Sequence, residues 1–215
     1  MLAEIVKISS DQPEPSLVRY AADQIRAGEV LGMPTDTFYG LAADPFNLRA
    51  VDRVYEIKTR SRHKPLSLLI ESLDQAEELA QGLTDEFYAL ANHYWPGPLT
   101  VIVRASSSLP LKVTANTGNV ALRVPNAKIP LAVVRAAKIP VTATSANLSG
   151  ASECTTAVAV REQLEERIGI IVDGGTSPRD IPSTIVDLTD ERERWKIMRE
   201  GAIPASEISS FFAKG

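Results

Sequence analysis

Apolar positions along the chain alternate between two periods. Short runs rich in β-branched and aliphatic residues read as strands at Glu4–Ile8, Glu29–Met33, Leu66–Ile70, Leu99–Ala105, Val120–Val124, Pro140–Thr144, Gly169–Asp173, Thr184–Leu188 and Arg194–Met198. Between several of them the spacing changes to that of a helix. Leu17, Val18, Ala21, Ala22 and Ile25 share one face, as do Ala50, Val51, Val54, Tyr55 and Ile57 behind the candidate cap Asn47. Ser72 with Gln75 has the spacing of a capping box for a helix over Leu73–Ala80. Thr84 is placed to cap Asp85–Tyr94, and Thr155 or Thr156 a helix running to Arg167, while Ser206–Gly215 reads as a short final helix. Strands mixed with helices predict an α/β protein. The last strands follow one another with only a loop between, so the sheet should be mixed.

Composition narrows the class. With 215 residues, 44% of them hydrophobic, and no Pro/Gly/Ser-rich linker, the chain should form one domain over 1–215. One cysteine, Cys154, excludes a disulfide framework and a multi-cysteine zinc site, and suits a reducing, cytoplasmic setting. His63 and His93 are too few and too far apart for a histidine metal site. The first ten residues do not read as a signal peptide, and no apolar run reaches membrane-spanning length. A net charge of −4 argues against bulk affinity for nucleic acid but leaves room for a local basic cleft.

Four segments depart from an ordinary α/β pattern. Pro34-Thr35-Asp36-Thr37-Phe38-Tyr39-Gly40 follows a strand; it reads either as a turn in which Thr35 or Asp36 caps the next helix, or as an anion site of hydroxyls and helix-start N–H groups. Lys58, Arg60, Arg62 and Lys64 place four cations in seven residues at a helix end, suited to the macrodipole or to phosphates. Thr144-Ser145-Ala146-Asn147-Leu148-Ser149-Gly150 follows an apolar strand, as a polar turn or a nucleotide contact. Arg123 stands within an otherwise apolar strand, where it needs an anion, and Arg199 sits near the end of another. The chain has no P-loop, no dinucleotide-binding glycine turn and no nucleophile elbow, so phosphate chemistry would rest on side-chain cations.

Together with Tyr94-Trp95-Pro96-Gly97-Pro98-Leu99-Thr100, Arg123-Val124-Pro125, Pro182-Ser183-Thr184-Ile185-Val186-Asp187 and Arg199-x-Gly201, these segments resemble the YrdC/TsaC family of threonylcarbamoyl-AMP synthases in order and spacing, from about Glu29 to Gly201. The resemblance implies an open, twisted, mixed β-sheet flanked by helices around a central concave cleft. It implies a nucleotidyltransferase that makes threonylcarbamoyl-AMP and pyrophosphate from ATP, L-threonine and bicarbonate. Partner proteins would then transfer the group to tRNA. The family's catalytic tetrad corresponds to Lys58, Arg60, Ser145 and Asn147. ATP would be held by Arg60, Lys64, Asn119, Ser145 and Arg199, with magnesium carried on the nucleotide. Threonine would be held by Thr37, Arg123, Ser183 and the main chain at Ala143. Leu69 and Glu153 depart from residues that some relatives place against the amino acid and ATP. A non-catalytic RNA-binding module with this fold, contacting double-stranded RNA or tRNA, is opposed by the complete tetrad. A hydrogenase-maturation domain is opposed by the lone cysteine.

Overall fold

The computed structural model describes residues 3–190 and 192–213. Its mixed α/β architecture matches the sequence pattern, but the strands divide between two sheets rather than filling one. The first sheet has the order β1 (Glu4–Lys7), β9 (Ile170–Asp173), β2 (Leu31–Met33), β3 (Gly40–Ala42), β8 (Thr144–Ser145). The second runs β11 (Lys196–Arg199), β10 (Thr184–Asp187), β5 (Leu99–Arg104), β6 (Asn119–Arg123), β4 (Ser67–Leu69), β7 (Val141–Thr142). Both are mixed: β9 is parallel to β1 and β2, whereas β3 is antiparallel to β2 and β8. In the second sheet β10 is parallel to β5 and β4 to β6, with β5 antiparallel to β6.

The sheets meet where the expected Pro140–Thr144 strand breaks in two. β7 pairs with β4 and β8 with β3, so the chain passes between sheets across the single residue Ala143. Thr142 holds the seam by donating from its backbone N to Ala43 O (2.9 Å) and from Oγ1 to Leu41 O (2.8 Å), while Ala143 N donates to Ser67 O (2.8 Å).

Helices cover the sheets for reasons visible in their sequences. In α1 (Pro15–Arg26), Pro15 starts the helix where a missing N–H costs nothing, and Val18, Ala21, Ala22 and Ile25 are buried. Val18, Ala21 and Ile25 share an apolar cluster with Ile129, Val133 and Val134 of α6 (Lys128–Ala137). α2 (Leu48–Lys58) begins on Asn47, whose side chain accepts from the N–H groups of Arg49 and Ala50, and ends on Thr59 in the left-handed conformation (φ 51°). Ser72 caps α3 (Leu73–Leu79) as expected, but Gln75 accepts from Glu71 N, one residue before the cap. Thr84 precedes α4 (Asp85–Tyr94) without a side-chain capping bond. Thr156, not Thr155, caps α7 (Ala157–Leu164), accepting from Ala159 N at 3.2 Å, and a 3₁₀ turn then covers Glu165–Arg167. The final helix α8 is Ala205–Ala213; the last two residues of the expected segment lie outside the described ones. A large cluster from both sheets and α2, including Leu41, Val54, Leu68, Leu99, Leu122 and Val186, forms the main core. Each such side chain contributes about 1.5–3 kcal/mol on burial.

Two expectations change here. The Pro34–Gly40 segment does not cap a helix; it leads into the three-residue strand β3. Thr35 instead caps a turn, its Oγ1 accepting from Thr37 N (3.1 Å) and donating to Phe38 O (2.7 Å). An anion site built on helix-start N–H groups is therefore not formed there. α5 (Leu111–Thr114) and α6 were not foreseen: α6 carries Pro130 in its first turn and starts on Ala127, which offers no side-chain cap.

Candidate functional site

An open cavity of about 190 Å³ lies at the seam between the sheets. Its walls bring together Thr37, Arg60, Arg123, Ala143, Ser145, Ser183 and Arg199, seven of the residues singled out in the sequence. They come from the β2–β3 loop, the turn after α2, the end of β6, the Ala143 crossover, β8, the approach to β10 and the end of β11. No two neighbouring elements in the chain build it alone.

Arg123 is almost fully buried and its anion is Asp36. Nη2 donates to Asp36 Oδ1 at 2.6 Å, Nη1 to Thr37 Oγ1 at 3.0 Å and Nε to Gly97 O at 2.9 Å. Burial pulls its pKa down and Asp36 opposes the fall. Three of the five guanidinium N–H groups are thus spent on the protein. The guanidinium that the resemblance places on threonine is already seated on a carboxylate of the protein, and only its remaining N–H groups are left for a ligand. The second Asp36 oxygen has no hydrogen bond among the described residues and lies 3.8 Å from Arg179 Nη1. Arg123→Lys keeps the charge but strips donors from buried Gly97 O and Thr37. It is expected to cost about 1–3 kcal/mol, read as a lower urea midpoint at unchanged slope.

The tetrad divides into two roles. Lys58, the last residue of α2, turns inward and is buried. Its Nζ donates to Ser145 O, to Asn147 O (2.8 Å) and to Asn147 Oδ1 (2.7 Å). An ammonium has three N–H groups, so none is left for a phosphate. Burial first, and then the Arg60 charge, pull its pKa down to about 8, so it remains charged at neutral pH. Asn147 is tied in on every side: Oδ1 also accepts from Ser145 Oγ (2.7 Å) and Nδ2 donates to Ala151 O (2.7 Å). Neither Lys58 nor Asn147 lines the cavity; together they set the loop that presents Ser145 to it.

Arg60, by contrast, faces the cavity. The left-handed turn at Thr59 directs it away from α2, and Nη2 donates to Pro65 O at 2.9 Å. The four-cation segment is therefore dispersed: Lys58 points inward, Arg60 to the cavity, Arg62 pairs with Asp52, and Lys64 is exposed. Across the cavity Arg199 donates from Nε and Nη2 to Ser183 O (3.1 and 2.9 Å), and from Nη2 to Ser183 Oγ (3.1 Å). Ser183 Oγ also lies 2.8 Å from Thr100 Oγ1.

Lys64 and Asn119 do not line the cavity. Asn119 sits at the other end of β6 from Arg123, about 13 Å away at strand rise, with its amide on Thr189 Oγ1. Sequence reasoning missed Asp36 as the partner of Arg123, although the demand for an anion and the acid in the motif were both in view. It also left out Thr100, whose hydroxyl in an apolar strand was the available signal, while Thr35, singled out in its segment as a cap or an anion-site hydroxyl, does line the cavity.

Among the described residues, three arginines and one acid, Glu153, line the cavity. Hydroxyls of Thr35, Thr37, Thr100, Ser145 and Ser183 surround them. Among the described residues no group of three or more His, Cys, Asp or Glu is placed to hold a metal, and no helix is long and apolar enough to cross a membrane. This two-sheet α/β architecture has a cationic, hydroxyl-rich cleft at the sheet seam, with side chains of the kind that suit an anion, and its sequence has no glycine cradle. More narrowly, the chain belongs to the Sua5/YciO/YrdC family, described as telomere recombination, which matches residues 23–201. It is 37% identical over 193 residues to the threonylcarbamoyl-AMP synthase of Pyrococcus abyssi, covering 89% of this chain and 56% of that one. It is 35% identical to the Bacillus subtilis enzyme of the same name, covering 95% of this chain and 58% of that one. The structure of Pyrococcus abyssi Sua5 complexed with L-threonine superposes with a TM-score of 0.93 at 35% identity, covering 97% of this chain and 61% of that one. The chain thus spans little more than half the length of these relatives.

Proposed function

We propose that the protein is a nucleotidyltransferase that forms threonylcarbamoyl-AMP from ATP, L-threonine and bicarbonate, for modification of tRNA. The observation that carries this reading is a single cavity lined both by phosphate-type cations, Arg60 and Arg199, and by the Thr37, Arg123 and Ser183 set. The threonine bound to the Pyrococcus abyssi relative supports the amino-acid half, and the names of the relatives support the nucleotide half.

In the reaction, threonine's amine and bicarbonate condense to a carbamate with loss of water. A carbamate oxygen then attacks the α-phosphorus of ATP, the new O–P bond forms, and the bond to the pyrophosphate breaks. An anion attacking a polyanion needs fixed positive charge near both the attacking and the leaving oxygens. Arg60 and Arg199 fill that need, each held by carbonyl oxygens and so positioned before the ligand arrives. Ser145 Oγ is held at the end of β8 by Asn147, to hydrogen-bond the nucleotide. The free N–H groups of Arg123, with Thr37 and Ser183, take threonine's carboxylate and hydroxyl, and the main chain at Ala143 closes the pocket. Magnesium on the nucleotide neutralises part of the triphosphate charge. Lys58 acts beneath the site by holding the Ser145–Asn147 loop.

The test is pyrophosphate release with ATP, threonine and bicarbonate, each omitted in turn. Release is expected only with all three present. Equal release without threonine rejects the reading.

A further inference from the structure

Glu153 is the sole acid among the described residues lining the cavity, which Arg60, Ser145 and Arg199 also line. Its carboxylate forms no hydrogen bond or ion pair with a described residue; it acts on Lys58 and Arg199 only through space. Yet its place is fixed. On one side Ser152 O accepts from Gln163 Nε2 (3.1 Å) and Ala151 O from Asn147 Nδ2 (2.7 Å). On the other, Cys154 O accepts from Tyr39 N (2.9 Å). The backbone therefore presents an uncommitted negative charge to the cavity, mounted on the same loop that Lys58 and Asn147 organise.

A carboxylate facing a polyphosphate is repulsive by itself, and in a partly desolvated cleft that repulsion exceeds its value in water. A hard divalent cation placed between them reverses the sign. Magnesium takes oxygen ligands and is commonly held by one or two carboxylates together with substrate phosphates. A lone acid beside phosphate-type cations fits that donor set without a protein cage.

We infer that Glu153 is this chain's carboxylate ligand to the divalent cation that travels with the nucleotide, and that it makes nucleotide binding depend on the metal. The inference rests on the ATP reading above. Without the metal, Glu153 weakens ATP binding by repulsion; with it, the carboxylate completes the metal's oxygen shell, directly or through a bound water. Arg60 and Arg199 then meet the outer phosphate oxygens, and the cavity discriminates the metal-loaded nucleotide from the free one.

The experiment measures ATP binding by calorimetry, with magnesium and with chelator, for the wild type, Glu153→Gln and Glu153→Asp. The inference expects magnesium to tighten ATP binding to the wild type. It expects Glu153→Gln to bind metal-free ATP more tightly than the wild type does, and to gain about tenfold less, or lower still, from magnesium. Glu153→Asp should recover part of the gain. Electron paramagnetic resonance of Mn²⁺ with ATP and protein gives a second readout, in which Glu153→Gln should hold the metal about tenfold more weakly. A magnesium gain in Glu153→Gln equal to that of the wild type overturns the inference while leaving ATP binding intact. A wild type that binds no ATP under either condition overturns the nucleotide reading, and this inference with it.

Discussion

Lys58→Ala is expected to lose at least about 3 kcal/mol of stability together with nearly all activity. The ammonium is buried and divides its N–H groups among Ser145 O, Asn147 O and Asn147 Oδ1. Removing it takes a donor from all three acceptors and leaves Asn147 O with none among the described residues, although Asn147 N still serves Ser145 O (3.0 Å) and Ser145 Oγ still serves Asn147 Oδ1 (2.7 Å); it also opens a void where the side chain lay. The loop that presents Ser145 then loses its side-chain anchor and keeps the backbone bond from Ser149 N to the carbonyl of residue 58 (2.9 Å). Lys58→Met separates the two causes, because it refills the void but restores no donor. Its stability should recover by less than half, and its activity should stay low. Urea unfolding with a pyrophosphate assay decides the matter. A normal midpoint with lost turnover would place the ammonium on the substrate instead of under the loop.

Arg60→Ala should give the opposite pattern. Among the described residues its guanidinium holds only Pro65 O at 2.9 Å and, weakly, Lys64 O at 3.4 Å, while the charge faces the cavity. Stability should fall by no more than about 1 kcal/mol. Turnover should fall by a factor on the order of a hundred or more, the usual cost of removing a preorganised charge from a transition state. Arg60→Lys should recover little, because a point charge on a flexible stem does not reproduce a fork anchored on a carbonyl. Steady-state rates with thermal midpoints check both variants. Near-normal turnover in Arg60→Ala would remove the residue from the site.

These two residues stand two positions apart in one cationic run, and the run alone does not distinguish them. The helix pattern of Ala50, Val51, Val54 and Ile57 was legible, as was its Asn47 cap, so the end of α2 was fixed to within a residue. What lay beyond sequence was the left-handed turn at Thr59, a β-branched residue with no local signature for φ 51°. That turn sends Lys58 inward and Arg60 outward. Arg123 gives a similar lesson: its need for an anion followed from its apolar neighbours, but the supplier, Asp36, is 87 residues away. The long, periodic helices and apolar strands were readable because each repeats its own signal. The division of Pro140–Thr144 between two sheets was not, because hydrophobicity is the same on either side of Ala143 and only the pairing partners differ.

That crossover has a mechanical consequence. Gly40 and Ser145 on one side of the cavity belong to the first sheet, and Leu69 and Arg123 on the other to the second. Packed layers move against one another by small sliding displacements, each kept within about a side-chain rotamer's tolerance. Here the layers share a one-residue link of continuous backbone, pinned by Ala43 O and Ser67 O, so sliding is converted into a change in the gap between the two walls. A ligand that touches both walls acts as a cross-brace, resisting a motion that no contact within either sheet opposes. Amide protons of β7 and β8 should accordingly exchange more slowly once the cavity is filled, although the ligand lies against only a few of them.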